Sequence, residues 1–200
     1  MWWIKSASLK LSLPDWLSVY RILSAPILII FIFLDERIIF AVLLLISFLT
    51  DAVDGYLARK MNIVTQHGAQ LDSIGDAITF CAGLCGILKF ESDFILEYIV
   101  IISLAFGLYI FQLFMAYWRY GMPSSFHTYL AKLSAIFQAS FMLYLLFFGV
   151  HLWLFYLATF FSIVETIEEI ILIIIFPKWK ANVKGLFWVL KSKNRKEYTP

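Results

Sequence analysis

Residues 51–76 read DAVDGYLARKMNIVTQHGAQLDSIGD, and the spacing of acidic and small residues in this stretch decides how the rest of the chain is read. Asp51 and Asp54 are three apart and Asp72 and Asp76 four apart, so on helices each pair shares one face. Ala58 continues the first face a turn later. The residues KMNIVTQH between Arg59 and Gly68 suffice for a turn, and Gly68 opens the next helix. Two antiparallel helices then present two pairs of carboxylates to each other at one depth. Four like charges that close repel and hold protons unless divalent cations neutralise them. Hard carboxylate oxygens in that number select magnesium, manganese or calcium over zinc. A pair of such cations clamps attacking and leaving oxygens in phosphoryl chemistry. Gly55, Ala58 and Gly68 remove bulk beside the carboxylates, so the phosphates and base of a ligand can approach the backbone.

Outward from this stretch the chain is apolar. Of its 200 residues, 62% are hydrophobic and 15% charged, against roughly 45–50% and roughly 25% in soluble domains. Six apolar segments, residues 17–34, 38–57, 68–88, 98–118, 129–150 and 152–176, each approach the ~20 residues of a spanning helix. The expectation is an all-α membrane protein: one bundle of six transmembrane helices forming a single domain over 1–200, with backbone polar groups satisfied inside helices. The joints are too short for a separate soluble domain. Residues 1–13, with Trp2, Trp3, Lys5 and Lys10 ahead of Pro14, suit a short amphipathic helix on the membrane surface. Residues 177–200 carry seven basic residues with Trp179, Phe187 and Trp188, a cytoplasmic tail attracted to anionic headgroups.

If the segments alternate in direction, 14 of the 16 lysines and arginines fall on one face and only Arg37 and Lys89 on the other. That asymmetry places both termini, and the aspartates with them, in the cytoplasm. The first apolar run is as long as a full span and is expected to stay uncleaved. Cys81 and Cys85, four apart on one helix, read as small packing residues facing a neighbour rather than a disulfide or metal pair.

The fixed positions of residues 51–76 resemble the signature of the CDP-alcohol phosphatidyltransferases: Asp, two residues, Asp-Gly, two residues, Ala-Arg, eight residues, Gly, three, Asp, three, Asp. The resemblance implies an integral membrane enzyme, a homodimer with two divalent cations, Mg2+ or Mn2+, and a site facing the cytoplasm, for a bacterial chain at the inner membrane. By position it implies that Asp51, Asp54 and Asp72 bind metal, and that Asp76 both approaches the metals and takes the proton of the attacking hydroxyl. Gly55, Ala58 and Gly68 would make room for cytidine diphosphate, and Arg59 would pair with phosphate or orient a carboxylate. In the first span, LPDWLSVYRILSAP (residues 13–26) resembles the family's opening pattern, with Asp15 and Ser18 where the family has asparagine and threonine. Asp15 then either caps the helix or touches substrate, and Arg21 keeps its family position or snorkels to headgroups.

The implied partners are CDP-diacylglycerol, a small alcohol acceptor and the bilayer, with no nucleic acid. Arg119 and Lys132 fall on the side of the aspartates and suit a phosphate on the acceptor, which favours glycerol-3-phosphate or an inositol phosphate over serine, and the short chain's resemblance to bacterial phosphatidylglycerophosphate synthases favours glycerol-3-phosphate of the two. The segment SSFHTYLAKLSA (residues 124–135) resembles one in bacterial members where a lysine faces the acceptor pocket, and His127 reads as a loop or pocket-wall residue. Inositol phosphate and serine stay open as acceptors, as does a CDP-choline or CDP-ethanolamine type of phosphotransferase. Outside that class stands a divalent-cation carrier, although carboxylates at one end and the absence of repeated halves speak against it. Glu165, Glu168 and Glu169 share a helical surface, so at least one should face the bundle, pairing with Arg119 or Lys132 or meeting acceptor hydroxyls.

Overall fold

The computed structural model describes residues 13–60, 66–124, 126, 128–180 and 183–193, with the side chains of 13–15, 52, 54–60, 66–74 and 192–193 outside that description. The expected N-terminal surface helix, His127 and the side chain of Asp15 therefore lie outside the described residues. Everything described is helix or connection. Six long helices, α1 (Leu13–Phe33), α2 (Arg37–Lys60), α3 (Gln66–Phe90), α5 (Ile99–Tyr120), α6 (Tyr129–Phe148) and α7 (Leu152–Ile175), are accompanied by two short ones, α4 (Ser92–Glu97) and α8 (Leu186–Lys193).

Among the described residues three helical stretches, Trp16–Phe33, Ile99–Tyr120 and Tyr129–Phe148, are long and apolar enough to cross a membrane. In α7 every window of that length contains Glu165, Glu168 and Glu169. Large apolar side chains point outward along these helices, with Phe33 and Trp118 each 83% exposed and Phe148 75% exposed. Water would not tolerate so continuous an apolar surface, whereas lipid does.

The helices form two compact units, Met1–Ser92 and Asp93–Pro200. In the first, α1 packs against both α2 and α3. The buried positions of α1, namely Ser18, Arg21, Ser24, Ala25, Leu28 and Ile32, recur every three or four residues and define one face. They meet Phe40, Ala41, Leu44 and Ser47 of α2 and Thr79, Ala82 and Ile87 of α3 in the buried core. The Ser24 and Ser47 hydroxyls lie 3.4 Å apart, a close small-residue contact of the kind that joins helices in lipid. Gly86 lets α3 approach α2, since a Cβ there would stand 2.3 Å from the Phe40 ring.

One end of this unit is tied by ion pairs. Arg37 binds Glu91, and the Lys89 ammonium lies 3.6 Å from Asp35. These are the two basic residues that the charge distribution assigns to the face opposite the aspartates, and both are matched by acids there.

In the second unit α7 packs against α5, α6 and α8. Phe94, Tyr98, Phe141 and Phe155 form an aromatic cluster, with the Phe94 and Phe155 rings edge to face at 5.0 Å. A second core joins Ala116, Phe126, Leu172, Ile173, Val183 and Val189. Gly121 ends α5 at φ 70° while its N–H bonds Tyr117 O at 2.8 Å, a left-handed cap that glycine adopts without steric cost.

Candidate functional site

The aspartates are organised around Arg21. This arginine is wholly buried, and its Nη1 donates to Oδ1 of Asp51 on α2 and to Oδ1 of Asp76 on α3. Its Nη2 lies 3.5 Å from Ser18 Oγ. The alternative in which Arg21 snorkels to headgroups is corrected: it sits on the inward stripe of α1, facing both other helices. A charge buried there is tolerable only when paired and hydrogen-bonded, and two carboxylates supply that. Gly75 lets α3 close on this point, a Cβ there standing 3.4 Å from Arg21 Nε and from Ser18 O.

The three charged groups sit at matching heights. Asp51 follows Arg37 by 14 residues, Asp76 precedes Phe90 by 14, and Arg21 precedes Phe33 by 12. At a rise of ~1.5 Å per residue, all lie about 18–21 Å from the ion-paired end. Asp51 and Asp76 leave 44% and 48% of their side chains exposed, so the carboxylates line an accessible surface while the guanidinium behind them does not.

Asp54 stands one turn past Asp51 on α2, and Asp72 one turn before Asp76 on α3. Gly55, Ala58 and Arg59 occupy the last turns of α2, and Gly68 the first turn of α3. The side chains of all six lie outside the described residues. Among those that are described, no group of three or more His, Cys, Asp or Glu forms a metal cage. What the structure does bring together is Asp51 with Asp76, from different helices, on one cation. Their donor set, hard carboxylate oxygens converging on positive charge, fits magnesium or manganese. Cys81 and Cys85 are free and exposed, so the packing role expected for them is corrected: on this unit they face outward.

In the second unit Arg119 closes the end of α7. Its Nε donates to Phe176 O at 3.0 Å and its Nη2 to Ile174 O at 3.3 Å, carbonyls that the helix end leaves without helical partners. Lys132 is exposed in the first turns of α6, its ammonium 5.7 Å from the Tyr129 ring centre. Thr128 caps α6, accepting from Ala131 N at 3.1 Å. The glutamates engage neutral donors instead of these cations. Glu169 accepts from Gln112 Nε2 at 2.7 Å and Ser124 Oγ at 2.6 Å. Glu168 accepts the Leu186 N–H at the start of α8 at 2.8 Å.

The segment before α8 follows the loop between α5 and α6. Trp179 Nε1 donates to Pro123 O at 3.2 Å, Val183 N to Phe126 O at 2.7 Å, and Tyr129 N to Lys184 O at 3.3 Å. This clasp and the Gln112–Ser124–Glu169 network had no periodic signal in the sequence. Arg21 did: it falls in register with Ser18 and Ser24.

Comparison with known proteins assigns the chain to a family. Residues 11–164 match the CDP-alcohol phosphatidyltransferase family, and the chain belongs to it. The match includes both Arg21 and the whole of residues 51–76. The chain is 35% identical to a CDP-diacylglycerol–glycerol-3-phosphate 3-phosphatidyltransferase of Rickettsia bellii, over 41% of this chain and 46% of that protein. With a protein of the same name from Wigglesworthia glossinidia brevipalpis it shares 34% identity, over 43% of this chain and 49% of the relative. A further one from Rickettsia typhi is 29% identical over 64% of this chain and 71% of its own length. The chain thus spans about half the length of the first two relatives.

Proposed function

We propose that the protein transfers the phosphatidyl group of CDP-diacylglycerol to glycerol-3-phosphate and releases CMP. The observation that carries this reading is the convergence of Asp51 and Asp76 from two helices, within the spaced aspartate signature of residues 51–76. The choice of acceptor is supported by the names of the relatives.

In this reading Asp51, Asp54, Asp72 and Asp76 hold two divalent cations, magnesium or manganese. When bound, these would neutralise the pyrophosphate and make its phosphorus a better electrophile. Gly55, Ala58 and Gly68 leave room for the cytidine and its phosphates, and Arg59 pairs with a phosphate oxygen or orients a carboxylate. The acceptor hydroxyl attacks the phosphorus that carries diacylglycerol. Its proton passes to Asp76, a new P–O bond forms, and the P–O bond to CMP breaks with its electron pair leaving on CMP. Lys132 and Arg119 are the candidate partners of the acceptor's phosphate. Six membrane spans with both termini in the cytoplasm, a single domain and a homodimer complete the reading.

The test supplies purified protein with CDP-diacylglycerol, magnesium and, separately, glycerol-3-phosphate, inositol phosphate or serine, and identifies the lipid formed by mass. Phosphatidylglycerophosphate from the first acceptor alone is the expected product. A different product reassigns the acceptor, and no product with any of the three contradicts the proposal.

A further inference from the structure

We propose that Arg21 is a resident counter-ion of the aspartate cluster, a positioning residue that holds Asp51 and Asp76 together when divalent cations are absent and sets how tightly those cations bind. The inference rests on the reading of these aspartates as cation ligands.

Three observations carry it. Arg21 is wholly buried, yet its guanidinium meets carboxylates from two different helices. It is built into the helix packing, through Ser18 on its own helix and the close approach of Gly75 on α3. The carboxylates it holds are about half exposed, so the positive charge stands behind them and their accessible sides face outward.

Two carboxylates on neighbouring helices repel in a medium of low dielectric. A fixed positive charge between them removes most of that repulsion, so the three helices can close without metal. The same charge repels an arriving divalent cation and weakens its binding. Arg21 therefore favours a site that is folded when empty and exchanges its cations, over one that depends on them to fold.

The test needs no substrate. Full-length protein in detergent is unfolded thermally in a chelator and then across a magnesium titration, for wild type, Arg21→Gln and Arg21→Lys. Arg21→Gln is expected to melt well below wild type in chelator and to recover more of its Tm with magnesium. Its half-effect concentration should fall about tenfold, because a unit charge close to the cation has gone. Arg21→Lys, which keeps the charge, should retain the wild-type concentration dependence.

A merely structural arginine would lower the Tm of Arg21→Gln equally with and without magnesium and leave the concentration dependence unmoved; that result overturns the inference. If Arg21→Gln does not fold in either condition, Arg21→Lys decides: a dependence shifted about tenfold in spite of the retained charge overturns it as well. A wild type whose Tm ignores magnesium overturns the cation reading itself, and this inference with it. Turnover measurements are separate, so the two failures are distinguishable.

Discussion

A buried arginine between two half-exposed aspartates is the residue-scale feature around which the candidate site is arranged. In the proposed chemistry Asp51, Asp54 and Asp72 hold the cations and Asp76 also takes the hydroxyl proton, so the proposal needs all four. Asp51→Asn, Asp54→Asn, Asp72→Asn and Asp76→Asn should each reduce turnover by at least ~10²-fold while the protein still inserts and folds. CMP release from detergent-purified variants measures this, and near-wild-type turnover in any one would break the two-cation assignment. The aspartates were legible because pairs three and four apart can be placed on helical faces without knowing the fold. Arg21 was legible only in position. An arginine in an apolar helix fits a headgroup contact as well as an internal ion pair, and what decides between them is the face of α1 turned inward. That face shows in the burial of Ser18, Ser24, Ala25, Leu28 and Ile32, which depends on how α2 and α3 pack and not on local pattern alone.

At the scale of elements, close approach and polar ties between helices hold each unit together. Gly86→Ala places a methyl inside the volume of the Phe40 ring and should cost roughly 1–3 kcal/mol through overpacking. A methyl added at Gly107 on α5 would meet nothing within 4 Å, and Gly107→Ala should be neutral or stabilise by up to about 1 kcal/mol through helix propensity. Thermal unfolding of the two variants side by side checks the contrast. Glu169 accepts from buried Gln112 and from its neighbour Ser124, and Gln112 Nε2 also donates to Ser124 Oγ, so Glu169→Ala should destabilise by roughly 1–3 kcal/mol by leaving the Ser124 hydroxyl and one Gln112 N–H without their acceptor. Glu169→Gln, which retains a carbonyl acceptor, should keep most of the stability. A Glu169→Gln variant with unchanged Tm but a raised KM for the acceptor would instead give Glu169 a place in acceptor binding. The long helices were legible from apolar runs and lie within a few residues of the expected segments. The short helix α8 was not, because its place comes from Val183 and Val189 packing among Ala116, Phe126, Leu172 and Ile173, which are distant in sequence.

At the scale of the whole molecule, the lopsided distribution of basic residues gives the orientation expected in a membrane. Arg21 is engaged by the aspartates and carries no topological information, but the remaining asymmetry is still large, with Arg37 and Lys89 paired to acids at the opposite end. In a Cys81→Ala, Cys85→Ala background, Glu36→Cys should react with a membrane-impermeant thiol reagent applied to intact cells, and Arg195→Cys should react only after lysis. Reversed labelling would turn the aspartates to the outer face and contradict the proposed cytoplasmic site. The most direct test of the proposed reaction is the CMP released from CDP-diacylglycerol with magnesium, measured with and without glycerol-3-phosphate and beside Asp76→Asn. One CMP released per acceptor phosphatidylated, with neither product in the variant, is the expected result. CMP release that ignores the acceptor, or that persists in Asp76→Asn, would contradict a phosphatidyl transfer in which Asp76 takes the hydroxyl proton.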